Sequence, residues 1–575
     1  MISWQSDHRQ WLYGLVGPVI LLAVVLAIYF PALSGGIHPV DDVGIVDFYA
    51  RAPALSQILL PSSSYYYRPL IELSFYLDNL FWGMEPSMLH LENILLHASN
   101  CLLVYVLATR LIDSDQHTSG PWLALLPTLW FALHPVHVEA VAWIAGRTDL
   151  LLAFLLLSAS CCWLRWLEAP TWQRLATTML FLTASLLTKE TAFVFALVMA
   201  LLAVAWPGSA TTRQRFGALV VMAVPPLMLL LVVILFKQGA SGFSRLLVAS
   251  DLSTLRIAWE LLGAVGFYLK KLIVPVPLNF AIVQLHPAYG LSGLLALLLL
   301  GWLWFGQRRT AALFGAALLL LLPPLLLVIK PIAWTPVAER YLYLPSAFVA
   351  LGGLLFCRAT AVRTYRTAMA SLLLLVLASH ALLAHQRTVL WGDKPAFFED
   401  AIRKSPEFGS LYNTQGGILL RQHRYDEALA AFLQADRLNR RESMRLLIKA
   451  NIMLTKLSQE DYAGARQLFS QQFVRKQDAS ADFLELLYKT DSKRMGSLTD
   501  PQRQNVALDL LETLDLLHQK RPDPFWRYRS GQVALAIGDR CRAVEFFQSA
   551  YAAAAADAHY KGAAKIYLEK LGQVP

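Results

Sequence analysis

About eleven apolar runs of spanning length fill the first part of this chain, at residues 12–30, 89–111, 121–137, 150–168, 174–188, 191–206, 217–236, 290–306, 311–330, 341–357 and 367–386. A backbone in a bilayer must satisfy its own N–H and C=O groups, so such runs fold as helices. A further run at 257–275 carries Glu260, Lys270 and Lys271, which predicts an amphipathic helix lying in the interface. The run that begins at Trp11 is too long for a signal-peptide core and reads as an uncleaved anchor. The apolar pattern stops near residue 388, and the remainder is charged and helical in period. The expected fold class is all-α, with a polytopic membrane bundle at 1–388 and a soluble helical domain at 389–575. A hydrophobic fraction of 56% excludes an ordinary soluble protein.

The net charge of +10 comes largely from Arg in short connections, which is how topology is set, and is no nucleic-acid signal. Arg110, Arg165, Arg174, Arg213, Arg215, Arg308, Arg309, Arg358, Arg363 and Arg366 fall on one side if the 257–275 run does not cross. That side is then cytoplasmic, and the same arginines are placed to meet anionic membrane lipid. The expected localisation is an integral, multi-pass membrane protein of a bacterial inner membrane, with the soluble domain periplasmic or lumenal. Five cysteines show no disulfide framework.

The opposite face collects five loops. Residues 31–88 hold Asp41, Asp42 and, in YYYRP, Arg68. HPVHVEAVAWIAGRTD at 134–149 holds His137, Glu139, Arg147 and Asp149. The tight turn TKET holds Lys189 and Glu190. Residues 237–289 form the fourth loop, and KPIAWTPVAERYLYLP at 330–345 the fifth, with Glu339, Arg340 and Tyr341. Adjacent carboxylates at a membrane exit read either as a solvated turn or as a general base. Lys189 and Arg340 suit a phosphate at headgroup depth. His90, Asn93 and His97 lie on one stripe of a span and read as helix-to-helix contacts or as cavity lining. His134, His137 and Glu139 have poor zinc spacing and read first as loop anchors.

In the soluble part, Gly416, Ala428, Phe432 and Ala435 have tetratricopeptide-repeat spacing. The phase returns at Gly531, Ala543, Phe547 and Ala550, and weakly at Ala465 and Phe469. Gln415 and Arg440 depart from the pattern. Such solenoids hold peptides or proteins in a concave face.

YRPLIELSFYLDNLFWG, HLENILLHA, LHPVHVEAVAWIAGRTDLL, LLTKET, ERYLYLPS and RTVLWGDKPAFFEDAIRKSPE, in that order and followed by repeats, resemble the transmembrane and tetratricopeptide repeat-containing proteins. The resemblance implies a GT-C glycosyltransferase fold that moves a sugar, mannose in the eukaryotic members, from a polyprenyl-phosphate donor to a protein hydroxyl. It implies that Asp41 or Asp42 is catalytic base or helps hold a divalent cation. Lys189, Arg340, Arg68 and Arg147 are the expected donor-phosphate ligands. Candidate cavity-lining residues are His90, Asn93, His97, His137, Glu139, Asp149, Glu190, Glu339 and Tyr341. The competing expectations are transfer to an envelope glycan or lipid, and a non-catalytic scaffold.

Overall fold

The computed structural model describes residues 3–60, 67–112, 120–236, 253–329, 334–360, 366–439, 442–496 and 498–573. Arg363, Arg440, most of the fourth loop's first half and the start of the fifth lie outside them. Among the described residues the chain is helical, and its only β-type pairing is the isolated bridge between Ile282 and Val337. It divides into two compact units, Met1–Ser405 and Pro406–Pro575.

The first unit is a multi-pass membrane bundle. Each expected run falls on a helix, and among the described residues seven of the helices are long and apolar enough to cross a bilayer. Trp122–Leu133 and Glu190–Ala205 are shorter apolar helices. The amphipathic run forms Thr254–Ile273, which is not among the seven. It presses backbone to backbone on Tyr289–Gly306: a Cβ on Gly266 would overlap the carbonyl of Tyr289, and one on Gly293 that of Leu262.

The unit boundary falls after Ser405, one short helix beyond residue 388. Lys394–Lys404 belongs to the membrane unit because its side chains are anchored there. Phe397 and Phe398 are fully buried, Lys404 donates to the carbonyl of Leu278 at 2.6 Å, and Asn279 donates to Ser405 at 2.9 Å.

The second unit is a solenoid of helix pairs: Gly409–Arg421 with Tyr425–Leu438, Glu442–Ser458 with Tyr462–Gln472, Ala481–Met495 with Asp500–Lys520, and Pro524–Ala536 with Arg540–Ala553. A Cβ on Gly416 would sit 2.7 Å from the Phe432 ring, and one on Gly531 the same distance from Phe547. The first and last pairs thus close on the same glycine–aromatic contact, which is why their spacing is visible in the sequence. The third pair is packed by Phe483, Leu484, Leu487, Leu510 and Leu514, without that signature.

Candidate active site

The motif at 134–149 is the hub of the site. Pro135–His137 is a 3-10 turn, Val138–Ala142 one helical turn, and Ile144–Gly146 a second 3-10 turn that leads into Arg147–Glu168. Gly146 is required, because a Cβ there would overlap the backbone of Ala140. The folded hub presents three groups. Trp143 Nε1 donates to the carbonyl of Val40 at 3.1 Å. The N–H of Ala145 donates to Asp42 Oδ1 at 3.0 Å. Glu139 pairs with the guanidinium of Arg340 and accepts its backbone N–H at 3.1 Å. One short segment therefore positions both the acidic loop and a cation.

The adjacent aspartates diverge. Asp42 is fully buried, and its second carboxylate oxygen accepts the His38 N–H at 3.1 Å. Burial pushes its carboxyl up to about 7, against the pull of the Ala145 and His38 amides and of Lys394. It joins the first loop to the hub. Asp41 precedes the helix Asp42–Ala50 but makes no side-chain cap to it. Its backbone has φ 65° and ψ −44°, outside the regions open to most residues. Its side chain is exposed, and none of its hydrogen bonds is to another described side chain. The surrounding protein raises its carboxyl above the usual 3.8, while Arg340 and Arg68 pull it down. A non-glycine residue held at such a φ carries backbone strain.

Three cations share this face. Arg68 makes a two-pronged ion pair with Glu190, at 3.2 and 2.6 Å. Lys189 Nζ bonds Asp149 Oδ1 at 2.6 Å and lies 5.6 Å from the Tyr341 ring centroid. Arg340 stacks 4.9 Å from the Tyr341 centroid and 5.1 Å from that of Trp143. Burial lowers the Lys189 ammonium below its ordinary range, with Arg68 and Arg340 adding to the effect and Asp149 opposing it. Each cation is thus oriented by a carboxylate or an aromatic ring. Lys189 and Arg340 also carry more N–H donors than these partners take, of the three on a Lys and five on an Arg.

Several expected site residues have other tasks. Arg147 is enclosed, pairs with Asp78 and Glu92, and donates to Leu89 and Asn93. It is an architectural cation, because Asp78 and Glu92 enclose its guanidinium inside the packing of two helices. Glu339 is held by Lys271 at 2.5 Å and by the Asn279 N–H. Asn93 caps the carbonyl of Trp143 at 2.8 Å, His90 bonds Gly36, and His97 bonds Tyr343 at 2.7 Å. His137 bonds Ser346 at 2.7 Å, and His134 the carbonyl of Leu272. The polar stripe therefore makes helix-to-helix contacts. Asp149, Glu190, Glu139 and Tyr341 do reach the cationic face, as partners of its cations.

Among the described residues, the carboxylates near Asp41 already have partners. Asp42 is engaged by two amides, and Asp149, Glu190 and Glu139 by cations. Among the described residues no three acidic, His or Cys side chains converge as metal ligands.

A second layer lies outside the motifs read from sequence. The buried ring of His38 is walled by Trp143, Phe280, Trp391, Phe397 and Phe398, with centroids 5.0 to 6.3 Å away. Burial holds its imidazole neutral, down to about 3. Lys394 donates to the carbonyl of Trp391 at 2.8 Å and its field reaches Asp42. The aromatic density of WGDKPAFF, just past the last apolar run, is the signal that marks this layer.

Comparison with known proteins adds a likeness. The chain is 38% identical over 126 residues to the protein O-mannosyl-transferase Tmtc1 of Drosophila melanogaster, a stretch that is 22% of this chain and 14% of that protein. It is 39% identical over 129 residues to TMTC4 of Mus musculus, 21% of this chain and 17% of that one. It is 44% identical over 93 residues to TMTC1 of Mus musculus, 16% and 9% of the two chains. The matches thus span less than a fifth of each of these relatives. No protein-family model matches the chain. Over the matched stretch the chain is TMTC-like, in agreement with the resemblance its motifs carry.

Proposed function

We propose that the chain is a membrane glycosyltransferase that moves a sugar from a polyprenyl-phosphate donor to a hydroxyl of a protein. The relatives are named protein O-mannosyl-transferases, which supports mannose as the sugar and a protein as the acceptor. The single observation that carries the reading is the pairing of one available carboxylate, Asp41, with three oriented cations, Arg68, Lys189 and Arg340, on one face of a membrane bundle.

The reaction follows from that pairing. Asp41 takes the proton of the acceptor hydroxyl as its oxygen attacks the anomeric carbon. The bond from that carbon to the phosphate oxygen breaks, and polyprenyl phosphate leaves with the electron pair. The three cations hold the charge that grows on the phosphate. Their existing partners fix them in place and reduce the cost of desolvating them before the donor arrives. Direct displacement by the acceptor oxygen inverts the anomeric centre. Asp42 aims Asp41 by anchoring the loop. The face opens to the outer or lumenal side, and the repeat unit recruits the protein acceptor.

Purified protein in nanodiscs, given a polyprenyl-phosphate sugar and a Ser/Thr-rich peptide, tests the proposal by mass spectrometry. Glycosylated peptide with the lipid-linked donor, and none with a nucleotide sugar, is the expected result. Transfer only to glycan or lipid acceptors, or none with any lipid-linked sugar, would overturn it.

A further inference from the structure

A cavity of about 650 Å³ opens at the other end of the membrane unit and is lined by Trp206, Arg215, Arg308, Arg309, Thr310 and Ala359 among others. Its position follows from two helices. The helix segment Glu190–Ala205 begins at the Lys189–Glu190 turn and ends at the cavity wall, roughly 24 Å away. The segment Glu339–Thr360 begins beside Arg340 and ends at Ala359, roughly 33 Å away. These lengths match a hydrocarbon core of about 30 Å, so the cavity and the candidate active site face opposite leaflets.

The cavity's charge is one-sided. Arg215 donates to the carbonyls of Ala203, Trp206 and Ala210, which fixes its guanidinium at the rim. Arg309 stacks on Trp206 at 5.7 Å from the ring centroid. Arg308 starts the helix Arg308–Ile329, which brings the positive end of its dipole to the cavity. Among the described residues no Asp or Glu forms an ion pair with any of the three arginines. Three like charges around one apolar-walled space repel each other unless an anion enters. Arg215 and the Arg308–Arg309 pair lie in connections that are far apart in sequence, and only the fold brings them to one space.

We infer that this cavity binds the phosphate headgroup of an anionic phospholipid from the leaflet opposite the active site. Arg308 and Arg309 grip the phosphate oxygens, Arg215 holds the rim, and Trp206 with Ala359 meets the first methylenes. The chemistry recognised is a phosphate ester, which a lipid or a soluble phosphate can both supply. The bilayer-depth position and the apolar wall favour the lipid.

The test is native mass spectrometry of protein released from nanodiscs of equal phosphatidylglycerol and phosphatidylcholine. Wild-type protein is expected to retain phosphatidylglycerol over phosphatidylcholine by roughly ten-fold or more, at about 1 kcal/mol per arginine. The variant R308Q/R309Q is expected to lose that preference, and millimolar inorganic phosphate in the release buffer to leave the wild-type preference intact. Equal retention of the two lipids by the wild type, or an undiminished preference in R308Q/R309Q, would overturn the inference. Displacement of the lipid by inorganic phosphate would overturn its lipid source. Should the double variant fail to fold, the wild-type preference still decides.

Discussion

The backbone N–H of Ala145 donates to the Asp42 carboxylate at 3.0 Å, across 103 residues of sequence. This contact separates two neighbouring acids into different roles. It locks Asp42 into the hub, whereas Asp41, the next residue back, is exposed and feels the field of Arg340 and Arg68.

Asp42→Asn is expected to act on folding. An amide can offer only one acceptor oxygen where the carboxylate offers two, so either the Ala145 or the His38 N–H loses its partner in a buried place. The cost is about 1–3 kcal/mol. It is read as a lower melting temperature in detergent and less protein in the membrane.

Asp41→Gly is expected to separate strain from chemistry. Glycine accepts the φ of 65° freely, so the variant gains about 1 kcal/mol in thermal stability while transfer is lost. A melting curve and a transfer assay on one preparation check both halves.

The pH profile carries two limbs. Asp41 acts as base only when ionised, and its carboxyl lies above the usual 3.8, so kcat/KM falls as pH drops through that raised value. The Lys189 ammonium lies below 10.5, so the alkaline loss of a phosphate ligand begins at lower pH than for a free lysine. Lys189→Arg keeps its charge at every accessible pH and is expected to remove the alkaline limb.

Glu139→Gln is expected to loosen Arg340 without removing its charge. The guanidinium loses its ionic anchor but keeps its stacking on Trp143 and Tyr341. Donor KM should rise several-fold, with acceptor KM unchanged, by roughly 1–2 kcal/mol of lost positioning. Steady-state kinetics with varied donor measures it.

The membrane helices were legible because apolar length alone dictates them, and the repeat unit because a glycine facing an aromatic leaves a spacing. The helix pair Ala481–Met495 and Asp500–Lys520 was not, since large apolar residues do the same packing without a fixed pattern. The site was half legible. Loop sidedness gathered Asp41, Arg68, Lys189 and Arg340, but nothing local distinguishes Arg340 from Arg147. The difference lies in Asp78, 69 residues from Arg147, which makes that arginine architectural. Nor does the dipeptide Asp41–Asp42 say which acid is available, because the amide that binds Asp42 arrives only with the fold. Lys394 and the aromatic wall around His38 escaped because aromatic density carries no specific chemistry by itself.

The most direct test compares Asp41→Asn and Asp42→Asn for sugar transfer from a polyprenyl-phosphate donor, with each rate divided by the amount of folded protein. Asp41→Asn is expected to lose about a hundred-fold or more in rate at normal folding. Asp42→Asn is expected to keep most of its activity per folded molecule, at reduced yield. Full activity in the Asp41 variant, or a specific-activity loss confined to the Asp42 variant, would rule out Asp41 as the base.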